Sequence, residues 1–377
     1  LKKKITIDAR MLYSSGIGTY IFNVLSGLIE TMPEISFEVL LSSADINSLR
    51  GAKLLGYSNV KAIEIIANIY TISEQFELYY KVRNTNLFWS PHYNVPLFLS
   101  KNIKRLVTIH DVYHLAFKNE LSLAKRIYAK VLMQKAVRSD MIITVSKFSK
   151  EEIIKYTNSE SGKIEVIYNG IEKDLGKETK TVSDTNKFSN SIVKERYLIY
   201  VGNVKPHKNL KILVDAFTFL KHEKDYQALK LVIVGKKEGF ITNDKELFEK
   251  LDNMPQILDD ILFTGWIEDS MLKELYNHAE ILVFPSIYEG FGLPPLEAMS
   301  MSCPVISSDA ACMKEINGEA VLYFNPKSVE QLKVAIASIL NNNGLKNKLI
   351  EKGKKRTEFF TWENSVMAHK KLISSLI

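Results

Sequence analysis

Short apolar runs alternate along this chain with longer segments whose apolar positions recur every three or four residues. The runs Ile5–Ala9, Phe37–Leu41, Val60–Ile66, Leu87–Ser90, Leu106–Ile109, Met141–Val145 and Ile164–Tyr168 predict strands, and helical periodicity fills several of the intervals, as from Thr19 to Glu30. From Glu172 to about Lys194 the chain turns polar and loses its periodic apolar face, which predicts a linker. A second series follows, with strands expected at Tyr197–Val201, Leu231–Val234, Ile261–Phe263, Ile281–Phe284, Val305–Ser307 and Val321–Phe324. Strands that alternate with helices predict mostly parallel α/β sheets. The organisation expected is therefore a first domain over 1–172, a linker over 173–194, a second domain over 195–362 and a terminal helix over 363–377.

In open parallel sheets, ligands bind beyond the C-terminal ends of the strands, so the loops after these runs carry the candidate chemistry. The richest is FPSIYEGFGLPPLEAM, Phe284 to Met299. Gly290 and Gly292 separate an apolar run from Pro294 and Pro295, which suit the first turn of a helix. Glycines let a ligand approach the backbone, and the amides of a helix start, here those of Gly290 to Leu293, attract phosphate. Glu289 and Glu297 bracket the turn, and a carboxylate accepts hydrogen bonds from neighbouring sugar hydroxyls. The second signal is Gly202-Asn203-Val204-Lys205-Pro206-His207-Lys208-Asn209, where a lysine at a helix entry can pair with a diphosphate. In the first half, Ser14-Ser15-Gly16-Ile17-Gly18 opens a helix, but Ile21 stands where a dinucleotide fingerprint has its third glycine. His110, in Thr-Ile-His-Asp at a strand end, can act as a hydrogen-bond donor or general acid/base. His92-Tyr93-Asn94 follows another strand and forms a candidate acceptor loop, whereas His114 reads as filler.

EGFGLPPLE resembles the E-x7-E signature of the retaining glycosyltransferases of family 4, and the Gly202–Asn209 segment is similar to their G-x-x-x-P-R-K-N pattern, with His207 where arginine is common. That resemblance implies the GT-B fold: two Rossmann-like, doubly wound domains facing a cleft, with the C-terminal helix crossing back to the first. It implies Lys208 and the amides of Gly290, Phe291, Gly292 and Leu293 on the leaving diphosphate, Glu289 on sugar hydroxyls and Glu297 on the ribose. It also implies His110 and Gly16 reaching the donor from the other domain, with closure completing the site. Asn203 and His207 join the donor set, and Trp266 either stacks on the base or plugs its domain. Ser307–Asp309 and Glu315 resemble a downstream segment that shapes the loop. Retention by front-face attack follows from the family alone. Among its members the two motifs look closest to mannosyltransferases of surface polysaccharides, which suggests mannose from GDP-mannose as the hexose donor and a glycan or lipid-linked acceptor.

Composition changes this picture little. At 377 residues, 46% hydrophobic and 25% charged, the chain is globular and long enough for two cores. A net charge of +7 favours anionic partners; the motifs select nucleotide sugars, and nucleic acid is not expected. Leu121 to Arg138 carries Leu123, Ile127, Val131 and Leu132 on one face among five basic residues, with two readings: a surface helix packed by that face, or a helix lying on an anionic membrane. No apolar run approaches the roughly 20 residues that span a bilayer and no signal core follows Lys2–Lys4, so a cytoplasmic place, including the inner membrane face, is expected. Cys303 and Cys312 lack metal-ligand spacing and read as buried thiols. Asp259-Asp260 lacks the third position of a D-x-D motif, so no catalytic metal and no cofactor are expected. Ser149–Glu152 fits a capping box. Two rivals stay open: a nucleotide-sugar epimerase on the same fold, and a non-catalytic sugar-nucleotide or glycan-binding module.

Overall fold

The computed structural model describes residues 2–117, 123–172, 192–236 and 244–377. Most of the expected polar linker, 173–191, and the first two residues of the Leu121–Arg138 segment lie outside the described residues. The chain divides into two compact units, Leu1–Gly170 with Phe360–Ile377, and Ile171–Phe359.

Among the described residues the first unit holds seven parallel strands: β1 (Lys4–Asp8), β2 (Ser36–Leu41), β3 (Val60–Glu64), β4 (Leu87–Ser90), β5 (Lys104–Ile109), β6 (Met141–Thr144) and β7 (Ile164–Val166). Their order is β3-β2-β1-β4-β5-β6-β7. Successive residues of one strand enter different cores: Leu87 and Trp89 pack with Ile5, Ile7 and the helix Ser15–Thr31, while Phe88 between them packs with Leu40, Ile65 and Leu78. Burial on both faces is why these strands read as near-continuous apolar runs. The helix Trp362–Leu376 belongs to this unit; Trp362, Val366 and Ile373 join the β1 core, and a Cβ on Gly27 would meet Val366 Cγ2 at 2.5 Å. Gly170 is packed as tightly, since a Cβ there would lie 2.1 Å from the Trp362 backbone nitrogen.

Among its described residues the second unit holds six parallel strands: β8 (Tyr197–Val201), β9 (Lys230–Val234), β10 (Ile261–Gly265), β11 (Ile281–Phe284), β12 (Val305–Ser308) and β13 (Leu322–Phe324), ordered β10-β9-β8-β11-β12-β13. From β8 the chain steps outward to β9 and β10, then returns to the other side of β8 with β11. The winding direction therefore reverses between β8 and β11, and in the first unit between β1 and β4; a doubly wound sheet opens its binding crevice at that reversal.

Three local expectations need correction. The first helix begins at Ser15 rather than Thr19, so Gly16 and Gly18 lie inside it. Gly18 is tolerated because a Cβ would come within 2.4 Å of the Leu12 carbonyl oxygen, a close approach only glycine allows. The cap near residue 149 is Ser146, whose hydroxyl accepts from the Ser149 amide at 3.0 Å and opens the helix Lys147–Thr157. In the helix Leu123–Ala136 the buried positions are Ala129, Leu132, Met133 and Ala136, while Leu123, Ile127 and Val131 are 70%, 57% and 49% exposed. That apolar row thus faces solvent, Leu132 excepted, which removes the reading of a helix packed by it.

Candidate active site

The two richest loops of the sequence meet at the β8/β11 reversal. Gly202, with φ near +154°, takes the chain out of β8, and Pro206–Lys208 makes one tight turn before the helix Leu210–Lys221. Asn209 sits in the left-handed region, and its side-chain amide donates to the carbonyls of Pro285 (3.2 Å) and Pro326 (2.8 Å). The Ile287 amide donates to the His207 carbonyl at 2.8 Å. These bonds lock the post-β8 turn to the post-β11 loop. Across the join, Lys208 Nζ lies 2.5 Å from Glu289 Oε1, both side chains mostly buried.

The post-β11 loop ends at Gly292, φ +83°, where a Cβ would also meet Met313 Cε at 2.7 Å. Gly292 is the N-cap of the helix Leu293–Ser300, so no side chain caps that end and Pro294 occupies its first turn. Cys312, buried, points its thiol at the carbonyls of Glu289 and Phe291, 3.3 Å from each. Sequence reasoning missed this role, which nothing in the spacing signals. Glu297, one turn into the helix, accepts from Tyr276 Oη at 3.1 Å. Burial outweighs that hydrogen bond and pushes its carboxyl up to about 7. His207 is driven the other way, down to about 2, by burial and then by Lys208 and Lys205. It is neutral at pH 7, so the substitution of histidine for arginine removes a charge from this turn, leaving Lys208 and Lys205 as its cations. Gly290 is buried and Asn203 half-buried on these same loops. Trp266, just past β10, is 73% exposed and therefore plugs nothing; its face is open for stacking. Downstream, the Ser308 hydroxyl donates to the Ser286 carbonyl, a loop-shaping contact.

In the first unit, Gly16 lies exposed in the first turn of Ser15–Thr31, whose N-cap, Ser14, makes no side-chain capping bond. His110 follows β5. Its Nε2 is 2.9 Å from the Pro91 carbonyl oxygen, which can only accept, so Nε2 carries the proton and Nδ1 holds a lone pair. The Tyr20 ring stands edge-on to it at 4.8 Å, and Tyr20 Oη bonds Thr108 Oγ1 (2.9 Å) and His369 Nε2 (2.7 Å). Burial lowers the imidazole to about 4. The neutral ring therefore offers Nδ1 as an acceptor at pH 7 while its Nε2–H is donated to Pro91.

The acceptor-loop candidates turn inward. His92 is 2% exposed, takes the Asn94 amide on Nδ1 at 3.3 Å and directs Nε2 toward Asp8 Oδ2, 3.7 Å away. Asn94 is fully buried and donates to Glu74 Oε1 at 2.7 Å, while Tyr93 stacks on His114 at 4.5 Å and so gives that filler residue a partner. Together with Arg10 they form a polar interior at the β1/β4 reversal. The available signal was an aspartate ending the apolar strand Lys4–Asp8 with an arginine two residues on. Among the described residues, no group of three or more His, Cys, Asp or Glu side chains is placed to hold a metal ion, and no helix is long and apolar enough to cross a membrane.

Comparison with known proteins gives two family matches: residues 71–175 match Glycosyltransferase Family 4, and residues 182–356 match Glycosyl transferases group 1. The O-antigen chain mannosyltransferase RfbU of Salmonella typhimurium is 30% identical over 312 residues, 76% of this chain and 80% of that protein. The O-antigen chain mannosyltransferase B of Escherichia coli is 27% identical over 63% of this chain and 61% of its own length. Among solved structures, Anabaena HepE in complex with UDP-glucose superposes with a TM-score of 0.77 at 15% identity over 99% of each chain.

Proposed function

Because this chain belongs to the family 4 glycosyltransferases, enzymes of the GT-B fold, we propose that it moves mannose, with retention, from GDP-mannose to a hydroxyl of a glycan or lipid-linked acceptor in surface polysaccharide synthesis. The observation that carries this reading is the Lys208–Glu289 pair at the β8/β11 reversal, set beside an uncapped helix start and followed one turn later by Glu297. The diphosphate takes Lys208 and the amides near Gly292; Lys208 thereby releases Glu289, which then accepts from the sugar hydroxyls. Glu297 accepts from the ribose, and the open face of Trp266 stacks on the base. His110 takes a sugar hydroxyl's hydrogen bond on Nδ1, and the amide of Gly16 serves the anionic part of the donor. In the reaction the anomeric carbon–phosphate oxygen bond breaks, and the diphosphate leaves with the electron pair. The acceptor oxygen attacks from the same face, its proton passing to the departing phosphate. With Lys208, Lys205 and helix amides meeting the charge, turnover needs no metal. The mannose assignment draws on what RfbU and its Escherichia coli counterpart are named for.

We further assign the acceptor side to an anionic membrane surface. On the helix Leu123–Ala136, the exposed row Leu123, Ile127, Val131 runs beside Arg126 and Lys130, with no acidic residue from 121 to 138. Ile72, Phe76 and Tyr80 of the helix Ile72–Lys81 are exposed in the same unit. Apolar side chains enter the headgroup region and the cations meet its charge.

The test incubates the protein with a panel of nucleotide sugars, with and without glycan acceptors and phosphatidylglycerol vesicles, in EDTA. Nucleoside diphosphate release from GDP-mannose that requires an acceptor is expected, with protein sedimenting with the vesicles. Epimer formation without acceptor indicates an epimerase, and tight binding without release indicates a binding module. Activity restored only by Mg²⁺ or Mn²⁺ contradicts metal independence, and an Ile127→Glu variant that still sediments contradicts the membrane assignment.

A further inference from the structure

The β1/β4 reversal of the first unit is built around buried charge. Arg10 donates to Asp8 through Nε (2.8 Å) and Nη2 (2.6 Å), and the same Nη2 lies 2.5 Å from Glu74 Oε1. Asp8 and Glu74 are fully buried and Arg10 nearly so. Burial alone raises the Asp8 carboxyl, but the Arg10 guanidinium more than offsets it and holds the group below the usual carboxylate range. Glu74 does more than pair with Arg10. Its Oε1 also accepts from Asn94 Nδ2 at 2.7 Å and its Oε2 from the Tyr70 amide at 2.9 Å.

These bonds converge on one segment, residues 90–94. Asn94 is held by Glu74, His92 faces Asp8, and the Ser90 hydroxyl lies 2.8 Å from both the His92 and Asn94 carbonyls. Between Ser90 and His92 lies Pro91, whose carbonyl takes the Nε2 proton of His110. A desolvated ion cluster is a costly way to hold a loop, and equal burial of apolar residues is often as stable. It does, however, fix a single register and orientation for the groups it bonds.

We infer that Glu74 is a positioning residue for transfer: through Asn94 and Arg10 it holds segment 90–94 so that the Pro91 carbonyl keeps the proton of His110 on Nε2 and its lone pair on Nδ1. The inference rests on the reading that His110 accepts a hydrogen bond from the donor sugar. Glu74→Gln keeps the shape of the side chain and leaves the Asp8–Arg10 pair in place, so the variant is expected to fold.

The experiment records the ¹⁵N ring signals of His110 in the full chain without ligand, for the wild type, Glu74→Gln and Asn94→Ala. It also follows kcat and donor KM on the nucleotide sugar that the panel selects. A single Nε2–H tautomer is expected in the wild type, with the Nδ1–H form appearing in both variants. Misplacement of a positioning group by about 1 Å is enough for roughly a hundredfold loss; kcat is expected to fall roughly ten- to a hundredfold, with donor KM little changed. In a His110→Ala background the Glu74→Gln change is expected to add less than about twofold, because both act through one group. An unchanged tautomer in the two variants overturns the inference, as does an equal loss of kcat in both backgrounds. A His110→Ala enzyme with wild-type kcat instead defeats the role given to His110, and the ring signals still decide whether Glu74 positions it.

Discussion

Lys208→Ala is expected to lower kcat/KM for the donor by about 10²- to 10³-fold, the effect of deleting one preorganised group at developing charge. The reasoning starts from its partner. In the free protein the ammonium is spent on Glu289 at 2.5 Å, at the bonded join of two loops. A diphosphate carries more charge than one carboxylate and more acceptors, so it displaces Glu289 and gains further as the bond to the sugar breaks. Because His207 is neutral beside it, the turn holds no arginine to share the charge. Removing Lys208 also leaves Glu289 mostly buried without its cation, so Lys208→Ala alone confounds binding with loop order. Lys208→Arg keeps the charge and separates the two: partial activity there with an unchanged melting temperature assigns the loss to charge stabilisation. Wild-type kcat/KM in Lys208→Ala contradicts the assignment.

Glu297→Gln is expected to raise donor KM by about ten- to a hundredfold with kcat little changed. Hydrogen bonds to a charged acceptor contribute about 1.5–3 kcal/mol, and ribose contacts are made equally in ground and transition states. The carboxyl's position in the fold adds a pH signature. Buried beside Tyr276, it loses its proton only near pH 7, and in the proposed reading the ionised form is the one that accepts from both ribose hydroxyls. Donor KM in the wild type is expected to fall as pH rises through about 7, and to stay flat across that range in Glu297→Gln. Stability moves the opposite way: the folded state binds this proton more tightly than the unfolded chain, so between about pH 4.5 and 7 rising pH removes stability. A wild-type KM without slope between pH 6 and 8 counts against Glu297 as the ribose acceptor.

Much of this architecture is legible in the amino-acid order because parallel sheets buried on both faces leave unbroken apolar runs, as in Ile281–Phe284 and Tyr197–Val201. The loops of the candidate site are legible through their glycines: the chain bends with positive φ at Gly202 and Gly292, beside Lys208 and Glu289. Faces and partners are harder to read. In Leu123–Ala136 two apolar rows compete, and the one rich in small Ala129 and Ala136 packs inward because it lets the helix sit close, leaving the larger Leu123 and Ile127 outside. His92 and Asn94 look like loop polar groups in one dimension. They turn inward because Glu74 and Asp8, distant in sequence, supply buried acceptors that demand donors. The Lys208–Glu289 pair has the same character, 81 residues apart in the chain and brought together by adjacent strands and the bonds between their loops.

A crystal structure of the wild-type protein with GDP tests the central claim most directly. The account predicts the diphosphate within about 3 Å of Lys208 Nζ and of an amide at the start of Leu293–Ser300. It also predicts Glu289 released from Lys208 and the ribose hydroxyls on Glu297. GDP bound elsewhere, or bound there with the Lys208–Glu289 pair intact and Glu297 still facing only Tyr276, would contradict it.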